Sequence, residues 1–256
     1  MSKKYVRFGL SGESGSWYGY LEDETVHALD GPPWEESRMT GQTYRADEVT
    51  LLAPTVPSKI ICIGLNYHAH VAASQSADVA PEYPLIFLKP PSSIIGPGDR
   101  IVGPPQSQRV DYEAELGIVI GKRAKDVSQD RAEDYIFGFT CVNDVTARDL
   151  QKKDGQWSRA KGFDTFCPVG PWIVTDLNYS DVLVEGILNG EVKQSGRTSL
   201  MIFNIPFLIS YLSSVMTLYP GDLIPTGTPA GIAPMNAGDE IEVKIEGIGS
   251  LKNVMA

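Results

Sequence analysis

Histidine and cysteine are both scarce, with three of each among 256 residues. The cysteines (Cys62, Cys141, Cys167) are odd in number and none stands in a CxxC spacing, so neither a disulfide framework nor a zinc–thiolate site is indicated. The histidines (His27, His68, His70) show no His–Glu–His spacing, which speaks against a zinc hydrolase. Long apolar runs are missing, and nothing approaches the ~20 apolar residues of a membrane span. No apolar run follows the basic pair Lys3-Lys4, so no signal peptide is read and the expected compartment is the cytoplasm. Basic residues are outnumbered, 22 Lys and Arg against 32 Asp and Glu. The resulting charge of −10 repels phosphate backbones and anionic lipid, so neither nucleic acid nor membrane is an expected partner. Gly12-Glu-Ser-Gly15 lacks the lysine of a phosphate-cradling loop.

What is present is enough apolar residue, 42% of the chain, to bury a core. Frequent Gly and Pro favour short strands over long helices. Residues 5–10, 16–21 and 25–29 read as strands, and Pro54-Thr-Val-Pro57 reads as a stiff linker. These signals divide the chain into a small N-terminal β domain, 1–55, appended to a larger domain, 56–256. In the larger part, 59–65 is a buried strand, Asn66 is placed to cap a short helix, and 110–120 is the strongest strand. A short helix is expected after Ser128 and another over 145–151. Asn189-Gly190 marks a hairpin, 203–218 a single long helix, and 240–254 a terminal hairpin. Many strands without strand–helix alternation predict a β-rich α+β architecture.

Three segments carry chemistry. In Val110–Ile120, alternation places Asp111, Glu113 and Glu115 on one strand face. A solvated strand edge accounts for such a stripe, and so does a hard divalent cation held by carboxylate oxygens. Phe139–Asp144 ends a buried strand on Asn-Asp, with Arg148 and Gln151 on the turn that follows. Lys161 precedes Gly162 and an apolar run closed by Pro168, which suggests partial burial, although a lone lysine is ordinarily solvated.

Taken in order, GLNYHAH (64–70), FLKPPSS (87–93), VDYEAELGIVIG (110–121), NDVTARDLQ (143–151), KGFDTFCPVGP (161–171), LNGE (188–191) and IPTGTPAG (224–231) resemble the fumarylacetoacetate hydrolase family over about residues 57–256. The resemblance implies a mixed β-sandwich roll, a homodimer, a small 2-oxo acid substrate, and Mg²⁺ or Mn²⁺ as cofactor. It implies Glu113, Glu115 and Asp144 as metal ligands and His70 and Lys161 as catalytic residues. It further implies Arg148, Gln151 and Thr228 as substrate contacts, with Asp111 behind the ligands at most.

Hydrolases of this family follow the histidine, three residues on, with a glutamate that orients it; here that position is Ala73, and no carboxylate lies between His70 and Asp78. Water attack on a carbon–carbon bond needs that pair, whereas enolate chemistry needs only a proton moved or carbon dioxide lost. The expected reaction is therefore isomerisation, tautomerisation or decarboxylation of a dicarboxylic or acylpyruvate-type 2-oxo acid. Carbon–carbon hydrolysis and a catalytically decayed metal-binding module remain as alternatives. Residues 72–84 have the small, polar composition of a lid, from which Glu82 could supply a carboxylate.

Overall fold

The computed structural model describes residues 3–73 and 79–256. The first five strands, β1 (Lys4–Leu10), β2 (Trp17–Glu22), β3 (Thr25–Leu29), β4 (Met39–Arg45) and β5 (Val49–Leu52), pair antiparallel around β1. Strands β4 and β5 fall between residues 29 and 54, where the sequence signals assign no strand. β4 is almost wholly exposed and carries no apolar face to announce it.

The larger part begins with β6 (Ile60–Gly64), α1 (His68–Ala73), β7 (Leu85–Lys89), β8 (Ile94–Ile95) and β9 (Arg100–Ile101). There follow β10 (Val110–Asp111), β11 (Ala114–Ile120), β12 (Ile136–Asn143), β13 (Thr146–Ala147), α2 (Arg148–Asp154) and α3 (Ser158–Lys161). The chain closes with β14 (Cys167–Val174), β15 (Leu183–Leu188), β16 (Glu191–Arg197), α4 (Ile205–Val215), β17 (Leu223–Pro225), β18 (Pro234–Met235), β19 (Glu240–Ile245) and β20 (Gly249–Met255). Among these, β6, β11 and most of β12 and β14 are buried on both faces, which is why they read as continuous apolar runs.

One large sheet runs β4-β3-β2-β1-β14-β12-β11-β17-β6-β7, with β5 on β1 and β8 on β14. The N-terminal strands join it directly, Lys4 opposite Val174 and Tyr5 opposite Ile173. A five-stranded sheet, β16-β15-β19-β20-β9, faces it. The main core lies between them, with Leu116, Ile118 and Phe139 from one layer, Val184, Val243 and Ile245 from the other, and Leu208 and Leu212 from α4. The β-rich sandwich expected from the sequence is present.

Four local expectations change. The strand over 110–120 is broken: Val110 and Asp111 belong to a small sheet, β13-β10-β18, and the run resumes at Ala114 in the large one. Between them Tyr112 is fully buried in a second core and donates its hydroxyl to the Gly231 carbonyl. Asn66 does not cap α1. Its Nδ2 donates to the Phe203 and Thr226 carbonyls and its Oδ1 accepts from Phe203 N, so it ties two distant loops together. The segment after Ser128 is a 3₁₀ helix, Gln129–Tyr135, and α2 starts only at Arg148. Helix α4 is shorter than 203–218, because Asn204 accepts from Phe207 N at 3.0 Å and defines its start, with Pro206 in the first turn.

One buried carboxylate holds β6 in place. Asp222, fully buried, accepts from Ser58 N, Ser58 Oγ, Lys59 N and Tyr219 N and pairs with the Lys59 ammonium. It fixes the start of β6 beside β17, its parallel neighbour. Asp222→Ala leaves these donors without their acceptor, and the expected cost is about 3 kcal/mol. Urea unfolding checks it: a lowered midpoint at unchanged slope is expected, and no change would show that water replaces the carboxylate.

Candidate active site

The break after Asp111 is what builds the site. It lets Asp111, at the end of β10, and Glu113, in the break itself, meet the same guanidinium. Arg148, the first residue of α2, donates Nε to Asp111 Oδ2 at 2.9 Å, Nη1 to Gln151 Oε1 at 2.6 Å, and Nη2 to Glu113 Oε1. Arg109 completes the hold on Asp111, donating through Nε and Nη2 at 2.8 and 3.1 Å. Asp111 thus positions Arg148 from behind the pocket.

Glu113, Glu115 and Asp144 are at most 5% exposed, and one oxygen from each lies within 4.8 Å of the others. The chain supplies much of the neutralising charge itself. Lys161 Nζ, from the end of α3, donates to Asp144 Oδ2 at 2.5 Å and to Glu113 Oε2 at 3.0 Å. Lys89, closing β7, donates to Asp144 Oδ1 at 2.6 Å and to the Val145 carbonyl at 3.0 Å. Glu115 is different: its Oε2 accepts the Gly227 amide at 2.8 Å, and no ion pair reaches it among the described residues.

These environments divide the protonation states. Burial opposes the Glu113 charge, but Lys161 and Arg148 outweigh it and hold that carboxyl well below the usual range. Burial, with Asp144 and Glu113 close by, pushes Glu115 well above it. Lys161 is buried too, yet Asp144 and Glu113 keep its ammonium above the ordinary lysine range. His70, 6% exposed in the first turn of α1, is pushed down chiefly by burial; Glu113 pulls the other way, and Arg148 and Lys161 add smaller pushes down. A permanent cation and a neutral imidazole therefore face one pocket.

The structure brings the sequence-derived residues together. His70, Glu113, Glu115, Arg148, Gln151, Lys161 and Thr228 line one pocket, and Asp144 sits behind Lys161. His68 is exposed and takes no part. Thr228 is less free than expected, because its hydroxyl donates to the Ala114 carbonyl at 2.8 Å and accepts Gln194 Nε2 at 2.7 Å. A substrate carboxylate would have to compete for that proton. Gln151 spends its oxygen on Arg148, which leaves its amide NH₂ as the group to offer. No hydrogen bond or ion pair to the His70 ring occurs among the described residues. Ala73 is the last residue of α1, Glu82 is exposed, and residues 74–78 of the expected lid lie outside the described ones.

Sequence reasoning missed Lys89, Trp157 and Phe87. Lys89 closes an apolar strand just before Pro90-Pro91, which is a weak sign of burial against the strong prior that lysine is solvated. The donor set itself suits a hard divalent ion, since Glu113, Glu115 and Asp144 offer only oxygen from three buried positions and the cluster includes one carboxylate without a cation.

Comparison with known proteins matches the chain to two families. Residues 59–256 match the fumarylacetoacetate (FAA) hydrolase C-terminal family, and residues 3–54 match the Rv2993c-like N-terminal family. Protein Rv2993c of Mycobacterium tuberculosis is 48% identical over 238 residues, covering 92% of this chain and 89% of that one. Human oxaloacetate tautomerase FAHD2A, mitochondrial, is 45% identical over 219 residues, covering 80% and 69%. The crystal structure of 2-hydroxyhepta-2,4-diene-1,7-dioate isomerase from Mycobacterium marinum superposes with a TM-score of 0.91 at 44% identity, covering 99% of this chain and 98% of that one. No helix among the described residues is long and apolar enough to cross a membrane. With a family model over most of its length and relatives this similar, the chain belongs to the fumarylacetoacetate hydrolase family of enzymes.

Proposed function

We propose that this protein is a tautomerase or isomerase of dicarboxylic 2-oxo acids that works with a divalent cation, Mg²⁺ or Mn²⁺. One observation carries the reading: the buried cluster of carboxylates and lysines faces a neutral His70 that has no carboxylate partner among the described residues. Glu113, Glu115 and Asp144 are the residues that would hold the ion. Such an ion supplies Lewis acidity toward a chelating 2-oxo carboxylate.

The chain's own residues divide the remaining work. His70, neutral near pH 7, accepts the proton from the carbon next to the 2-oxo group and returns it to the oxygen. Lys161, held as an ammonium by Glu113 and Asp144, contributes positive charge and not basicity. Arg148 spends one N–H from each of its nitrogens on Asp111, Glu113 and Gln151, and so orients Gln151 toward the substrate. The interconversion consumes no water, so it does not need the carboxylate-assisted base that a hydrolase uses. The names of the human relative and the M. marinum neighbour, a tautomerase and an isomerase, support the same direction. Decarboxylation draws on the same electron flow and is the second reading. The family resemblance further supports a homodimer.

With Mg²⁺ present, the purified protein is expected to speed decay of the enol of oxaloacetate, followed in the ultraviolet. His70→Ala should lower kcat by roughly 10²–10⁴-fold. Rapid cleavage of an acylpyruvate with release of pyruvate would overturn the assignment in favour of a hydrolase.

A separate measurement addresses the ion. Mg²⁺ at a hundred times its Kd should stabilise the fold by about 2.7 kcal/mol, read as a raised unfolding midpoint. Glu115→Gln should abolish the shift while leaving the metal-free midpoint close to wild type. Absence of a shift with Mg²⁺ or Mn²⁺ would favour a protein whose site no longer binds metal.

A further inference from the structure

The pocket has an ionic floor, and its uncharged wall includes one indole seated on a glycine. Trp157 is half-buried in the turn between α2 and α3 and lines the same pocket as Glu113 and Glu115. Its ring meets Phe87 edge-on, with centroids 5.2 Å apart at 67°. Phe87 in turn lies 4.9 Å below the Lys161 ammonium. The Trp157 carbonyl accepts Lys161 N at 3.0 Å, so wall and floor are joined across a single helical turn.

Gly64, the last residue of β6, is what lets the indole approach. It has no left-handed φ that would require glycine. A Cβ there would stand 2.7 Å from Trp157 Cζ3 and 3.1 Å from Leu85 Cδ2. Glycine in an ordinary strand conformation weakens the strand, so what it contributes here is space. The space among these groups is small, about 300 Å³ even with its open mouth included.

We propose that Trp157, held by Phe87 and Gly64, sets the chain length of the substrate. The pocket takes four-carbon 2-oxo diacids and turns away seven-carbon ones, whose distal carbons would have to displace the indole. This rests on the function proposed above, with the 2-oxo carboxylate end on the ionic floor. Trp157 acts here as a specificity-determining wall and takes no part in proton transfer.

The test uses the Mg²⁺-loaded wild type, Trp157→Ala, Trp157→Phe, Gly64→Ala and the Gly64→Ala/Trp157→Ala double variant. Rates are compared for the enol of oxaloacetate and for 2-hydroxyhepta-2,4-diene-1,7-dioate. Calorimetry compares the unreactive analogues malate and 2-hydroxypimelate. Trp157→Ala should move the kcat/KM ratio at least about tenfold toward the seven-carbon diacid, mainly through KM, and move the analogue affinities the same way. Trp157→Phe, which keeps an aromatic but shorter wall, should fall between wild type and Trp157→Ala. Gly64→Ala should change malate affinity in the wild-type background and add nothing to Trp157→Ala, because it acts through the displaced indole. Unchanged ratios in Trp157→Ala, or purely additive effects of Gly64→Ala, would overturn the proposal and leave Trp157 a packing residue. Turnover of neither diacid, with malate still preferred in a Trp157-dependent way, would overturn the proposed reaction and support the wall.

Discussion

The arrangement of the site follows from the cost of burying a charge without a partner. Asp111, Glu113, Glu115 and Asp144 are all at most 5% exposed. An uncompensated buried carboxylate costs several kcal/mol, so each acid except Glu115 is matched to a cation from another part of the chain. Lys89 arrives from β7, Arg148 from the start of α2 and Lys161 from the end of α3. Each of these elements ends or begins where a cation must meet a carboxylate. The break in the strand over 110–120 has the same origin, since it turns Asp111 and Glu113 toward one guanidinium.

The exception is as informative as the pairs. Glu115 has an amide where its neighbours have cations, so it alone of the three lacks an ion pair among the described residues, at the position where the three oxygens converge. Lys161 does not fill that gap, because its ammonium is spent on Glu113 and Asp144. The same crowd of charges separates His70 from Lys161 chemically. Burial discourages a second cation at the imidazole, while the paired acids stabilise the one already on the lysine. A base and a fixed charge therefore coexist within one small pocket.

Much of this was legible before any coordinates. Alternation brought Glu113 and Glu115 to one face, although the straight strand it implied was wrong at Tyr112, whose bulk is buried in a separate core. Asp144 and Lys161 stood out by their place at the ends of apolar runs, and His70 by the motif around it. Lys89 could not be read in this way, because an isolated lysine looks the same in sequence whether it is solvated or buried. Asn66 was misread for a related reason: its side chain suits an N-cap, but two loops 137 and 160 residues away compete for it and win. Strand β4 was hidden because an edge strand exposed to water carries no apolar period, and β5 because it is only four residues long and runs up to the Pro54 linker.

The sequence by itself determined the chemistry that is available: clustered carboxylate oxygens in place of sulfur, His70 with Ala73 three residues on, and a net charge of −10. It also determined the β-rich class, since residue chemistry and short-range periodicity are local properties. Only the tertiary structure decided which cation answers which carboxylate, and that an indole closes the pocket over Gly64. Those outcomes depend on contacts between residues 55 and 48 positions apart for the lysines, and across strand and helix for Trp157. No local pattern encodes such distances, because they are set by how the two sheets and their connecting turns pack.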